Sequence, residues 1–182
     1  YPYTSTLSLT TNSYIFDGCT SLKSVKLSAN IEWLGYRIFN NCTNLTTVDF
    51  GENSRLTTIG NYAFFNCTGL KTINLPASLE LIGGDAFTGC TSLSSVNFAE
   101  NSVLKHILYY AFDGCSSLRD IVLPASLQTL GGSSLDFNKY PVSETSTGYI
   151  FRNCTSLKSI TFPDNITTIP TYCFTGCTAL ET

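Results

Sequence analysis

A phenylalanine followed three residues later by a cysteine recurs along the whole chain, and this period constrains the fold more than any other feature. The pairs are Phe16 and Cys19, Phe39 and Cys42, Phe64 and Cys67, Phe87 and Cys90, Phe112 and Cys115, Phe151 and Cys154, and Phe174 and Cys177. Successive cysteines lie 23, 25, 23, 25, 39 and 23 residues apart. A fixed period in the range of ~20 to 50 residues is the mark of a stacked repeat architecture. The 39-residue spacing reads as a 23-residue unit carrying 16 extra residues, 132–147, within the fifth repeat.

Each cysteine is followed by an apolar triplet: Leu22, Val25 and Leu27; Leu45, Val48 and Phe50; Leu70, Ile73 and Leu75; Leu93, Val96 and Phe98; Leu118, Ile121 and Leu123; Leu157, Ile160 and Phe162. The last two of each triplet alternate as in a strand, which turns Lys26, Asp49, Asn74, Asn97, Val122 and Thr161 outward. A second apolar pair follows, such as Leu56 with Ile59 or Leu79 with Ile82. One repeat cannot bury these faces alone, whereas copies stacked at roughly 4.8 Å bury them against one another. The reading is a single right-handed solenoid over 1–182, about six full coils with partial coils at both ends. Its 23- to 25-residue coils hold parallel β-strands joined by short helical or irregular turns, and the insertion is expected to project from one edge.

The residue before each cysteine is Gly18, Asn41, Asn66, Gly89, Gly114, Asn153 or Gly176. Gly and Asn accept positive φ most readily, so this column predicts a left-handed turn position. The second half of the repeat alternates between a short form ("LPASLELIG", "LPASLQTLG") and a form two residues longer ("FGENSRLTTIG", "FAENSVLKHIL"), which suggests duplication of a 48-residue pair.

The pattern "NCTSLKSI" followed by "NITTIPTYCFTGCTAL" resembles the BspA-like leucine-rich repeats found in surface proteins of bacteria and some protists, over residues 7–182. The resemblance implies a leucine-rich-repeat solenoid on a secreted or cell-surface protein, used for adhesion and for binding host proteins. Leu108 and Pro170 depart from it, standing where the other repeats have Gly.

Composition narrows the function. Only 13 % of residues are charged and the formal net charge is -3, so nucleic acid is not an expected partner. No apolar run of about 18 residues is present, so no membrane insertion by this segment is expected. Equivalent Cβ atoms of neighbouring coils sit ~4.8 Å apart, beyond the ~3.8 Å of a disulfide, so the cysteine column reads as free buried thiols. Cys173 takes the place of Ala63, Ala86 and Ala111 and reads as core too. His106 is the only histidine, and no nucleophile, phosphate-binding or metal motif is present, so catalytic, cofactor and metal sites are all read as none.

Three sets of residues are candidates for function. Trp33, Tyr36, Leu81, His106, Leu108 and Tyr109 place apolar or aromatic side chains in outward columns of the second strand, and Leu135, Phe137 and Tyr140 make the insertion adhesive; these form the candidate binding surface. The sequons at Asn41, Asn44, Asn66, Asn153 and Asn165 are candidate glycosylation sites if the source is eukaryotic, although two structural columns spell three of them. Leu7, Leu9 and Leu180 leave apolar columns at the ends, an interface for further repeats or for copies of the chain. A stripe of Tyr14, Arg37, Tyr62, Asp85, Tyr110, Tyr149 and Tyr172 two residues before each anchor Phe is read either as contact residues or as rings covering the turn beneath. Two functions stay open: a binding module for a protein or glycan ligand, and a structural subunit of a filament built end to end.

Overall fold

In the computed structural model, residues 14–132 and 148–181 are described, and they form stacked parallel coils. The first strand of each coil is β1 (Ser24–Lys26), β3 (Thr47–Asp49), β5 (Thr72–Leu75), β7 (Ser95–Phe98), β9 (Asp120–Val122) and β11 (Ser159–Thr161). The second is β2 (Trp33–Leu34), β4 (Thr58–Ile59), β6 (Leu81–Ile82), β8 (His106–Ile107) and β10 (Thr129–Leu130). Among the described residues the rest is turn and irregular chain without a helix. Of the short helical or irregular turns expected, the described residues show the irregular kind.

The second strands form one five-stranded sheet, β2-β4-β6-β8-β10. The first strands pair only in twos: β1 with β3, β5 with β7, and β9 with β11. Each break follows a long-form repeat, so hydrogen bonding follows the 48-residue period read in the sequence. Across the breaks a serine of the short-form "PAS" segment replaces strand bonds. Ser78 Oγ donates to the carbonyls of Ser54 and Leu56, each at 2.8 Å, and Ser126 Oγ to Leu104 at 2.8 Å.

The core is the set of columns that face inward. The anchor rings of Phe16, Phe39, Phe64, Phe87, Phe112, Phe151 and Phe174 stack in one file, with centroids 5.2 to 5.8 Å apart. Around it the Leu and Val/Ile columns bury one residue per coil, as in Leu70, Leu93, Leu118 and Leu157. The expected outward residues Lys26, Asp49, Asn74, Asn97, Val122 and Thr161 are all exposed.

Candidate functional site

The turn around the anchor Phe fixes where every side chain of the outer edge points. All seven residues of the Gly/Asn column adopt positive φ, between 55° and 80°. The residue two before each Phe does so as well: Tyr14, Arg37, Tyr62, Asp85, Tyr110, Tyr149 and Tyr172 have φ between 46° and 70°. Such conformations cost about 1 kcal/mol or more at a non-Gly residue unless the surroundings enforce them. Here the enforcement is a seam of backbone bonds to the next coil: the amides of Tyr62, Phe64 and Asn66 donate to the carbonyls of Gly84, Ala86 and Thr88 at 3.0, 2.8 and 2.8 Å. The left-handed residues Tyr62 and Asn66 are themselves donors in this seam, so each is held in its conformation by the bond its own amide makes.

The tyrosine rings of this column pack on one another over the turn. Tyr110 and Tyr149 stack at 4.9 Å, Tyr149 and Tyr172 at 5.1 Å, and Tyr36 meets both Tyr14 and Tyr62 edge to face. Arg37 lies over Tyr36 and Tyr62 at 5.2 and 5.1 Å, and Arg152 over Tyr110 and Tyr149 at 4.9 and 5.2 Å. Arg152 also forks onto the buried Asp113, with Nη2 to Oδ2 at 2.6 Å and Nε to Oδ1 at 3.0 Å.

The cysteine column consists of free thiols, as expected from the spacing. Every thiol of this column from Cys42 onward also donates to the anchor Phe carbonyl one coil back, from Cys42 on Phe16 at 3.0 Å to Cys177 on Phe151 at 3.0 Å. Burial pushes the Cys42 thiol up to about 11 and Cys90 up to about 12. These are poor nucleophiles, since the thiolate is the reactive form.

The expected apolar patch on the second strand is corrected in part. Trp33 is 44 % exposed, but Leu81 is only 8 % and Leu108 1 % exposed. Leu81 sits mid-sheet, flanked in register by Thr58 and His106, so its neighbours cover it. Thr58 also separates Trp33 from Leu81. Tyr36 is half-buried between tyrosines, and His106 hydrogen-bonds Thr129 Oγ1 through Nδ1 at 2.8 Å. Burial lowers the His106 pKa, with the Lys105 charge acting the same way. Tyr109 lies half-buried across Gly84, where an added Cβ would meet its ring at 2.5 Å. The patch is thus one exposed tryptophan, the half-buried Tyr36, His106 and Tyr109, and two buried leucines. Leu135, Phe137 and Tyr140 lie outside the described residues, as do Leu7 and Leu9. The insertion leaves the stack in register, because Gly132 and Gly148 accept from the adjacent amides of Tyr109 and Tyr110 at 3.2 and 2.9 Å. Leu180 is half-buried against the core.

Four of the five sequon asparagines use the amide nitrogen within the fold. Asn44 Nδ2 donates to the Thr20 carbonyl at 2.7 Å, Asn66 to Asn41 Oδ1 at 3.2 Å, Asn153 to Asp113 Oδ1 at 3.4 Å, and Asn165 to the Leu127 carbonyl. A glycan at any of these would have to be accommodated on a nitrogen that already donates within the fold.

One further exposed column carries charge that the composition does not reveal. The position just before the first strand, four residues after each cysteine, holds Lys23, Thr46, Lys71, Ser94, Arg119, Lys158 and Glu181. The first six are exposed. Four of them are cations in a chain of net charge -3. The overall charge hid a basic file that an alignment of the repeats would have shown.

Comparison with known proteins agrees with this geometry. The BspA type leucine rich repeat region matches residues 9–141 and 141–182, in six copies. Among solved structures, the leucine rich repeat protein of T. pallidum is 27 % identical with a TM-score of 0.73, covering 93 % of this chain and 70 % of that one. A leucine-rich repeat protein from Eubacterium ventriosum is 25 % identical, with a TM-score of 0.67 over 88 % of this chain and 38 % of the other. The pneumococcal vaccine antigen PcpA shares the fold at 24 % identity and a TM-score of 0.58, with 88 % and 50 % covered. The chain thus spans half or less of the length of the last two. No curated protein matches.

Proposed function

The chain belongs to the BspA-type leucine-rich repeat family, and on that premise we propose that it is a non-enzymatic binding module, displayed outside the cell, that engages a protein or glycan through its repeated face. The observation that carries this reading is the first-strand ladder. Lys26, Asp49, Asn74, Asn97, Val122 and Thr161 are presented by successive coils, and all are exposed. Stacked repeats suit recognition of extended partners because they offer side chains at fixed intervals over a long surface. Display at the surface draws support from bacterial relatives of the same fold, one of which is described as a vaccine antigen.

The test is capture of the purified chain on panels of matrix proteins and glycans. Saturable binding that is lost when residues of the exposed ladder, such as Asn74 and Asn97, are changed to Asp supports the reading. Turnover of a substrate that is abolished by a single substitution would overturn it in favour of an enzyme.

A further inference from the structure

We propose that the leading edge of the first-strand ladder is a binding strip for a linear anionic polysaccharide. The inference rests on the binding-module reading and names its ligand class. Among the described residues, four cations have a carboxylate within ion-pair distance: Lys26 with Asp49, Arg55 with Glu32, Lys105 with Glu80, and Arg152 with Asp113. The other described cations are Arg37, which is packed among tyrosines, and Lys23, Lys71, Arg119 and Lys158. Those four stand in one column, exposed, and without an ion-pair partner. Their places are not explained by packing.

The residues between them are explained. Thr46 Oγ1 donates to the Lys23 carbonyl at 3.0 Å and Ser94 Oγ to the Lys71 carbonyl at 3.1 Å, so the alternate coils use a hydroxyl to hold the strand start. The file therefore carries a cation on the first, third, fifth and sixth coils, with hydroxyls between. Lys71 and Arg119, with Ser92, Ser94, Ser117 and Ser156, line a shallow recess of ≈ 330 Å³. Neighbouring coils are about 5 Å apart. A chain running along the solenoid would thus meet a fixed charge about every 5 to 10 Å, with hydroxyl donors and acceptors for its own hydroxyl groups. Arg119 offers a fork that suits a carboxylate or sulfate, and the lysines offer point charges.

Two acids face the strip: Asp120 in the next column, otherwise Ser24, Thr47, Thr72, Ser95 and Ser159, and Glu181 at its end. They lower its potential without filling it. A nucleic acid fits less well. Duplex DNA carries a charge per about 1.7 Å and would meet a net-negative protein, and single strands need aromatic platforms. The two outward columns and the leading column contain no aromatic residue.

Heparin and polygalacturonate are the probes, with neutral dextran and oligothymidylate for comparison, measured across a salt series on the whole chain. The strip variant is K71S/R119S, which places in both positions the residue that Ser94 already supplies there. The control is R55S/K105S, which removes the same charge from outside the strip. Expected are salt-sensitive binding of at least one polyanionic glycan, a loss of about tenfold and a shallower salt slope in K71S/R119S, and a change under about twofold in the control. Equal losses in the control, equal affinity for oligothymidylate, or no binding of either glycan at low salt would overturn the proposal. If dextran or a matrix protein is captured alike by wild type and K71S/R119S, the binding module stands and the strip does not. If nothing is captured at all, both fail.

Discussion

The Cys67 thiol donates to the carbonyl oxygen of Phe39 one coil back, at 3.1 Å. That same oxygen accepts the Cys42 amide at 3.1 Å, so one carbonyl closes its own turn and ties the next coil to it. The arrangement repeats at Phe64 with Cys67 and Cys90, and at Phe112 with Cys115 and Cys154. Cysteine is small enough for the core and still supplies a weak donor.

Protonated thiols have a consequence for pH. Burial raises Cys90 from 9.0 to about 12 and Cys42 from 9.0 to about 11, so the folded chain keeps protons that the unfolded chain releases. The stabilisation is complete below the ordinary thiol value and declines as pH rises from about 9 toward the folded values. The melting temperature is expected to be level near neutrality and to fall above about pH 9, and alkylation of the ladder at neutral pH to be slow until denaturant is added. A level melting temperature to about pH 11, or rapid alkylation of Cys90 in the folded protein, would show that these thiols are not held protonated.

The Phe file sets the strength of the stack. Phe87 is fully buried between Phe64 and Phe112, with centroids 5.2 and 5.3 Å away. Its replacement by Ala opens a cavity bounded by two rings that the coils above and below hold in place. The expected loss is about 3 to 5 kcal/mol by urea unfolding. A loss under ~1 kcal/mol would mean that the neighbouring coils close the gap.

Asp85 is the acid in a column otherwise of tyrosines and one arginine, and it has φ 56°. Burial raises its pKa, with Asp113 adding to the effect, against hydrogen bonds from Thr88 and Tyr62 and the Arg152 charge. A carboxyl raised in the fold is more easily ionised in the unfolded chain, so its contribution is full below the ordinary carboxylate value and declines as pH rises through the folded one. Asn is neutral and favours the left-handed region. Asp85→Asn is expected to raise the melting temperature at pH near 7, with the gain shrinking as pH falls through the raised folded value and gone below about 4. A gain that does not depend on pH would assign the effect to backbone preference alone.

Much of the fold is legible because a repeat converts each side-chain requirement into a column. Phe, Cys and Leu at fixed offsets announce the core, and Gly or Asn before every Cys announces a left-handed turn that the φ values of Asn41 and Gly89 confirm. The second left-handed column was hidden, because Tyr62 and Tyr110 are not residues that signal positive φ; the conformation is imposed by bonds to the next coil. The candidate surface was read less well. Exposure on a two-residue strand depends on the neighbours in the sheet, so Leu81 faces away from the core yet is covered by flanking strands. The file of Lys23, Lys71, Arg119 and Lys158 was present in the sequence but lost in a net charge of the opposite sign.

The broken first ladder predicts uneven protection of its backbone. At the paired steps the amides just before the strands are bonded: Thr46 to Lys23 at 2.9 Å, Ser94 to Lys71 at 2.9 Å, and Lys158 to Arg119 at 2.7 Å. At the breaks that follow the long repeats, the equivalent amides of Lys71 and Arg119 have no backbone acceptor, and the coils are held by the Ser78 and Ser126 hydroxyls instead. An amide without a partner at an exposed residue exchanges through solvent contact and does not wait for the stack to open. Native-state hydrogen exchange is therefore expected to be faster at Lys71 and Arg119 than at Thr46, Ser94 and Lys158, in a pattern with the 48-residue period. Ser78→Ala should widen the difference at the first break by removing its tie to Ser54 and Leu56, while leaving exchange at Lys158 unchanged. Equal protection at all five amides would mean that the ladder is continuous in solution and that the two extra residues of the long repeats do not part the strands.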